Sequence, residues 1–474
     1  MNKVLLKVGK VWTYVIADSV IVNRIDYGLS VLVPSRFYSP AYKEGRWDGR
    51  FRFYDRRLRR FLTGFLDEVL NMLYDCSVEI DEVEKGSIPE KIEIDAVELY
   101  GDFDKERWNK VQFPLLKEMV RKGRAVVRLA TGGGKTEIIA GIAKVYSDKK
   151  ILVLVNRMEL LHQTIDRLKQ RLKEEVGYIH GDVVESRVMV GMVNTVWNRR
   201  AKLKDFLSSV DVVISDECHR MTAKIWSKVL ESVDAPYRFA LSGTPLKGDV
   251  IRDKMLVGLT GPVIEGMGVM DLVEEGYAVF PEVKLIDTVS VLGKYNLMGM
   301  RYNDVCDAVY SDIRLWGLLK ELVRWHGKSG LVVFTERVQI CLGLYENLSV
   351  MGNGLKVGIS YGGLSKKDRL LVLEKFKNRE IDVLVTTTVL DEGVDVSAIS
   401  GVVFMCSNVS IVRILQRIGR GVRREEGKDS VSIYDFVIDA PYLKKHVMSR
   451  ARLYSKERFG CSLWKYHGGS FGRI

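Results

Sequence analysis

The chain has 474 residues, 47% of them apolar and 28% charged, and a formal net charge of +12. That length exceeds what one hydrophobic core organises and implies two or three domains. No apolar run reaches the roughly 18 to 20 residues of a membrane span, so no membrane partner is expected, and the N-terminus lacks a signal-peptide pattern. Six cysteines without a CxxC pair argue against a disulfide framework, a zinc site or an iron–sulfur cluster, and fit a reducing, cytoplasmic compartment.

The charge is local. Pro34 to Arg60 holds nine Lys/Arg against three Asp/Glu, and Pro441 to Ile474 holds eight against one. These two stretches carry +6 and +7, leaving −1 for the rest. A concentrated basic excess suits a phosphate-binding footprint, and on charge alone a merely solubilising surface is as good a reading.

Residues 1–100 contain short, aromatic-rich strand candidates and many arginines, and close on an acidic stretch near Glu79 to Glu98 that reads as a border. This predicts a small α+β domain. From about residue 105, short β-branched runs alternate with amphipathic stretches at helical spacing. Ala125–Leu129, Ile151–Val155, Arg187–Met192, Val210–Ser215 and Phe239–Ser242 read as buried strands, with a helix carrying Leu160, Leu161, Ile165 and Leu168. After a less regular stretch, Leu246 to Val283, the pattern restarts with strands at Leu331–Phe334, Asp382–Thr386, Gly401–Met405 and Val431–Phe436. Helices are predicted at Gln339–Leu348 and Ile411–Ile418. Such alternation predicts mainly parallel sheets covered on both faces. The division is therefore 1–100, an α/β lobe over 105–280, a second over 281–440, and a basic tail over 441–474.

Between the strand at Ala125–Leu129 and a helix lies Thr131-Gly132-Gly133-Gly134-Lys135-Thr136. A glycine-rich turn there lets backbone N–H groups close round phosphates at the helix N-terminus. Lys135 would neutralise the β/γ-phosphates of ATP, and the Thr136 hydroxyl would ligate Mg²⁺. The general pattern wants a glycine six residues before the lysine, where Leu129 stands. Further on, Val212-Val213-Ile214-Ser215 leads into Asp216-Glu217. Paired carboxylates ending an apolar strand are costly without a cation or a catalytic task. Asp216 would hold Mg²⁺ and Glu217 would polarise the attacking water. Alone, each motif has a bland alternative, a chance turn or a solvated strand end; in this order they support one another.

These motifs resemble the superfamily 2 helicases, with Asp216-Glu217-Cys218-His219 as a DECH form of the DEAD/DEAH box. The resemblance runs over roughly 107–424 and implies two RecA-like lobes with ATP between them. It implies that Gln112 reads adenine, that Arg157 and Thr195 contact the nucleic-acid strand, and that Ser242-Gly243-Thr244-Pro245 couples hydrolysis to movement. In the second lobe, VTTTVLDEGVDV (385–396) resembles the family's fifth motif, with Thr387 toward the nucleic-acid backbone and Gly393 and Asp395 toward the nucleotide. Gln416-Arg417-Ile418-Gly419-Arg420-Gly421-Val422-Arg423 matches the sixth, where Gln416 belongs to the catalytic set and Arg420 and Arg423 serve as arginine fingers.

Gly45-Arg46-Trp47-Asp48-Gly49-Arg50-Phe51-Arg52-Phe53 is similar to the front domain of phage UvsW-type branch-migration helicases. Arg46, Arg50 and Arg52 are then the candidate DNA contacts, while Trp47, Phe51 and Phe53 read as that domain's core. The resemblance implies an ATP- and Mg²⁺-dependent DNA helicase or translocase acting on branched or duplex DNA in recombination, replication or repair. A monomer is favoured. The competing readings are an RNA-remodelling helicase, a duplex translocase of the restriction or remodelling type, and an ATP-gated nucleic-acid clamp or annealing protein that does not unwind. No nuclease or methyltransferase motif is evident, which counts against a fused restriction enzyme.

Overall fold

The computed structural model describes residues 3–75, 79–84, 89–218, 224–246, 248–327, 330–352, 354–387, 398–407 and 429–474. The chain divides into two compact units, Met1–Gly266 and Met267–Ile474.

The first unit begins with a small sheet of β1 (Lys3–Val8), β2 (Trp12–Ile16), β5 (Tyr54–Asp55), β6 (Arg60–Leu62) and β7 (Glu79–Glu84), in the order β5-β6-β2-β1-β7. A separate ribbon pairs β3 (Ser30–Leu32) with β4 (Arg50–Arg52). Alternation in β1 sends Val4, Leu6 and Val8 inward, and Val4 and Leu6 share a core with Ile21 and Ile25 of the helix Ser19–Gly28 and Val69 and Leu73 of the helix Leu66–Tyr74. Asp18 starts the first of these helices by accepting from the Val20 and Ile21 N–H groups. The acidic stretch read as a border contributes β7, which pairs parallel with β1. Of the three aromatics expected in the core only Phe53 is buried. Trp47 is half-buried with its indole N–H on Arg50 O, and Phe51 is exposed. The two-stranded β3–β4 ribbon has one face open to water, so alternate residues of β4 cannot all point into a core.

The remainder of this unit is a sheet of β8 (Arg124–Arg128), β9 (Ile151–Val155), β10 (Val176–His180), β11 (Asp182–Val184), β12 (Val188–Met192), β13 (Val212–Asp216), β14 (Tyr237–Ser242) and β15 (Val263–Glu265). The order is β11-β10-β12-β9-β13-β14-β8-β15, parallel except for the edge strand β11. All five residues of β9 are buried, as an apolar run needs when helices cover both faces.

The front sheet docks at the N-terminal ends of β8 and β14. Arg124, opening β8, donates to Lys10 O. Lys10 Nζ lies 3.1 Å from Asp234 Oδ2, and Lys254 Nζ lies 2.7 Å from Glu68 Oε1. Apolar residues of both parts, Phe61, Phe65, Leu256 and Leu259 among them, share one core. Arg238, almost fully buried on β14, forms no carboxylate ion pair among the described residues. Its guanidinium donates to the carbonyls of Leu230, Val233, Ala235 and Leu259, where two helices end.

The second unit has β16 (Phe280–Asp287), β17 (Leu331–Thr335), β18 (Val357–Ser360), β19 (Val383–Thr386), β20 (Gly401–Met405), β21 (Ser430–Val437), β22 (Gly460–His467) and β23 (Ser470–Arg473). Their order is β18-β19-β17-β20-β21-β16-β22-β23, parallel except for β23. The observed division falls at Gly266/Met267 rather than at residue 280, and 441–474 is not a tail. Leu443, Val447, Leu453 and Tyr454 bury one face of the helix Leu443–Lys456, and β22 and β23 complete the sheet. Basic residues on the opposite helix face and along the strands hide this pattern from a charge count. The predicted helix at Ile411–Ile418 lies outside the described residues.

Candidate active site

In the first unit the chemistry-bearing loops all leave the C-terminal ends of adjacent parallel strands, where open α/β sheets place ligands. Across the sheet from β12 to β8 come Thr195 after β12, Arg157 after β9, Asp216–Glu217 after β13, Ser242–Thr244 after β14, and the glycine loop after β8. β9 and β8 are three strand spacings apart, about 14 Å. The candidate strand contacts are therefore set to one side of the phosphate loop.

The phosphate loop is built by steric necessity. Gly134 caps the helix Lys135–Val145 in the left-handed region (φ 86°), and a Cβ there would lie 2.4 Å from Gln112 Nε2. At Gly133 a Cβ would lie 2.5 Å from Leu129 Cγ, so the leucine standing in place of the usual glycine requires a glycine here. Gln112 Nε2 donates to Gly133 O at 2.8 Å, and Arg107 donates to Gly132 O. Both brace the loop from behind. Gln112 reaches its position through a single π turn, Trp108–Gln112, closed by Phe113 N–H on Trp108 O. Pro114 explains that turn: its ring crowds the carbonyl four residues back, and it has no N–H to close an α turn. Gln112 is buried and committed to Gly133, so this structure places it against the loop rather than on an open adenine site. The support from Arg107 was not foreseen. Its only signal was its place five residues before Gln112 in the same stretch.

Lys135 opens the helix with its ammonium 3.7 Å from Glu217 Oε1. Glu217 sits at φ 52°, a conformation unfavourable for a residue with a side chain, and its N–H donates to Asp216 Oδ1 at 2.9 Å. Burial, and then the neighbouring Glu217 carboxylate, push the Asp216 carboxyl above its usual range; Lys135 pulls the other way. Cys218 is fully buried, a packing residue. The loop after β14 packs beside the glycine loop: Leu129 N–H donates to Ser242 O, and Thr244 N–H donates to Ser242 Oγ. Thr244 Oγ1 and Ser215 Oγ are buried without a hydrogen-bond partner among the described residues.

These features fit a magnesium–nucleoside triphosphate. A cradle that side chains would fill, an ammonium, a carboxylate disfavoured in its charged form and orphaned hydroxyls converge on one loop. Thr131 to Thr136 would hold the phosphates, and Thr136 with Asp216 would hold Mg²⁺, which supplies charge neutralisation between the β- and γ-phosphates. Glu217 would orient water.

Arg157 precedes the helix Met158–Leu172 in extended backbone, and Thr195 is half-buried in the first turn of the helix Val193–Arg199. In the second unit Thr387 is buried at the end of β19, its N–H on Ser360 O. Gly393, Asp395, Gln416, Arg420, Arg423 and His219 lie outside the described residues.

The front-domain arginines divide. Arg46 pairs with Glu44, and both are exposed. Arg50 Nε donates to Ser30 Oγ at 2.7 Å, its guanidinium 4.2 Å from the Tyr27 ring. Arg52 bridges Asp48 and the buried Asp26, the latter at 3.0 Å, and Arg56 shares Asp26. By contrast Arg57 and Arg59, at the tip of the β5–β6 hairpin, are exposed and form no ion pair among the described residues.

Residues 102–247 match the family described as type III restriction enzyme, res subunit, and 315–425 match the helicase conserved C-terminal domain. Together these span more than half of the chain. The chain belongs to the superfamily 2 helicases. Among relatives of this superfamily 2 chain, the DNA 3'-5' translocase XPB2 of Sulfurisphaera tokodaii is 23% identical over 83% of this chain and 92% of its own length. The ATP-dependent DNA helicase uvsW of Enterobacteria phage T4 is 23% identical over 89% and 91%. Among solved structures, a fragment of an HsdR-type subunit of a type I restriction enzyme from Vibrio vulnificus aligns at a TM-score of 0.59 and 17% identity, over 88% of this chain and 78% of that one. That likeness is one of fold, the tandem RecA-like lobes of superfamily 2.

Proposed function

We propose that this superfamily 2 protein is an ATP-dependent DNA helicase or translocase that works on branched or duplex DNA in recombination, replication or repair. The observation that carries the reading is the convergence of Lys135, Asp216 and Glu217 with the Ser242–Thr244 loop at the ends of three adjacent strands. A non-hydrolysing clamp has no need of a strained Glu217 held against the phosphate-loop lysine. Two relatives that share some nine-tenths of their length with it are named as a DNA translocase and a DNA helicase, which favours DNA over RNA.

In this reading Lys135 and the glycine-loop N–H groups hold the phosphates, Thr136 and Asp216 hold Mg²⁺, and Glu217 aligns the attacking water. Arg420 and Arg423, with Gln416, complete the site from the second lobe, while Gly393 and Asp395 border the nucleotide. Arg157, Thr195 and Thr387 hold the strand mainly by its phosphates, with little demand on sequence. The basic front domain holds duplex. No helix among the described residues is long and apolar enough to cross a membrane; action in a reducing cytoplasm, as a monomer, completes the proposal.

The test is ATP turnover with single-stranded DNA, a four-way DNA junction and duplex RNA as activators, together with unwinding of the labelled junction. Stimulation and unwinding by the junction support the reading. Stimulation by RNA alone would replace it with the RNA-remodelling alternative.

A further inference from the structure

The second unit contains a cavity of about 180 Å³ at the C-terminal ends of β17 and β20. The connection from β17 runs to one side of the sheet and β20 lies on the other, so this is the crevice where strand order reverses. Its walls are the rings of Tyr302 and Tyr310, the apolar side chains of Ile340 and Met405, and the polar groups of Asn303 and Glu336. Drug-sized ligands occupy upward of about 300 Å³; this space suits one heterocycle, and no nucleotide.

The walls are fixed in place. Tyr302 Oη and Cys306 Sγ both meet Ser407 Oγ, the latter at 3.2 Å, and His446 Nδ1 lies 2.8 Å from Ser407 O. Arg337 is held by Asp307 at 3.2 Å and by Asn303 Oδ1 at 2.8 Å. Glu336 differs: its carboxylate lines the cavity and forms no hydrogen bond or ion pair with any described residue. An acceptor-only group in a cavity walled partly by aromatic rings asks for a flat ligand with adjacent N–H donors.

Register gives the source of that ligand. Phe334 pairs with Thr386 and Thr335 with Met405, so Thr387 leaves β19 level with Thr335 and Met405, one residue short of Glu336 and Cys406 on the two neighbouring strands. At about 4.8 Å per strand, the cavity opens one to two strand spacings from Thr387. If Thr387 touches the nucleic-acid backbone, as in the function proposed above, a base of the same strand lies within reach.

We infer that this cavity receives one unstacked guanine of the bound DNA strand, its ring against the aromatic wall that Tyr302 and Tyr310 contribute to and its N1–H and N2–H₂ groups donating to Glu336. Single-strand readers use this chemistry, stacking on aromatic rings with hydrogen bonds to the exposed Watson–Crick edge. The inference rests on the DNA-motor reading, and the experiment separates the two.

A duplex with a single-stranded guanine-containing tail fixes the register, in the presence of a non-hydrolysable ATP analogue. Single abasic sites, and then single guanine-to-adenine changes, are scanned along the tail, and affinity is measured for wild type, Glu336→Gln and the cavity-filling Ile340→Phe. The expected result is one position where base removal weakens wild-type binding about tenfold, with a smaller loss for adenine. Both variants should bind the intact tail about tenfold more weakly and show no dependence on that position. Two variants acting through different chemistry guard against a folding defect in either. A flat abasic profile with tail binding intact overturns the guanine pocket and leaves the motor reading standing, as does a position-dependent profile unchanged in both variants. Absence of binding to every tail overturns both.

Discussion

Lys135 Nζ stands 3.7 Å from Glu217 Oε1, with only 10% and 21% of the two side chains exposed. The residue proposed to hold phosphate and the residue proposed to orient water thus lie within ion-pair distance of each other, and their opposite charges compensate.

Lys135→Ala should lower DNA-stimulated ATP turnover by at least about 10²- to 10³-fold, the usual loss when one preorganised charge contact is removed. Glu217→Gln should lower turnover similarly while keeping or tightening nucleotide binding, because it frees Lys135. Turnover assays paired with titration of a fluorescent ATP analogue separate these outcomes. A near wild-type rate in Lys135→Ala would remove the phosphate-loop assignment.

Arg420→Ala and Arg423→Ala should each bind the analogue almost normally and lose turnover on the order of 10³-fold, about 4 kcal/mol, as expected of groups that act on transition-state charge. Weakened binding with an unchanged maximal rate would assign these arginines to the ground state instead.

In the front domain, stability and DNA binding should come apart. Asp26 is buried and relies on Arg52 and Arg56, so Arg52→Gln should destabilise the chain by on the order of 2 kcal/mol. The double change Arg57→Gln, Arg59→Gln touches no described ion pair and should leave the melting curve in place. If both arginines meet phosphates, it should reduce the log–log salt slope of duplex binding by about 1.8. Superimposable salt plots would take the hairpin tip out of the DNA-binding account.

His326 predicts a pH dependence in the second unit. Its ring is half-buried between Tyr434 Oη and Ser400 Oγ, each at 2.9 Å. Burial, reinforced by the nearby Lys284 ammonium, lowers its pKa to about 4. The unfolded chain takes up the proton near pH 6.5 and the folded chain does not. This contribution is therefore complete above about pH 6.5 and lost as pH falls toward 4, by up to about 3 kcal/mol. Denaturant unfolding followed by tryptophan fluorescence, with Trp325 adjacent in the chain, should show the slope. His326→Gln should flatten that slope; an identical pH profile would show that this histidine does not control it.

The parallel strands were legible because their sequences are buried on both faces. β9 and β20 coincide with the apolar runs Ile151–Val155 and Gly401–Met405. β16 was not legible, since Pro281, Glu282, Lys284 and Asp287 interrupt its alternation and its partners are β21 and β22, far along the chain. The site was legible where a loop's chemistry is local, as at Lys135 and Asp216. It was not legible where a residue's partner decides its role. Arg50 and Arg52 look like phosphate ligands in sequence, but Ser30, Asp48 and Asp26, two of them more than 15 residues away, claim their guanidinium groups.

The shared core beneath Phe61, Phe65, Leu256 and Leu259 makes the front sheet inseparable from the lobe behind it. A cut near residue 100 would bare an apolar surface and leave Arg124 without the Lys10 carbonyl it points to. The two parts should melt in one transition and resist limited proteolysis as one fragment. An exchange of DNA specificity between relatives would therefore have to transplant the helix Val250–Leu259 along with the first hundred residues, because the graft boundary follows the packing and not the order of the chain.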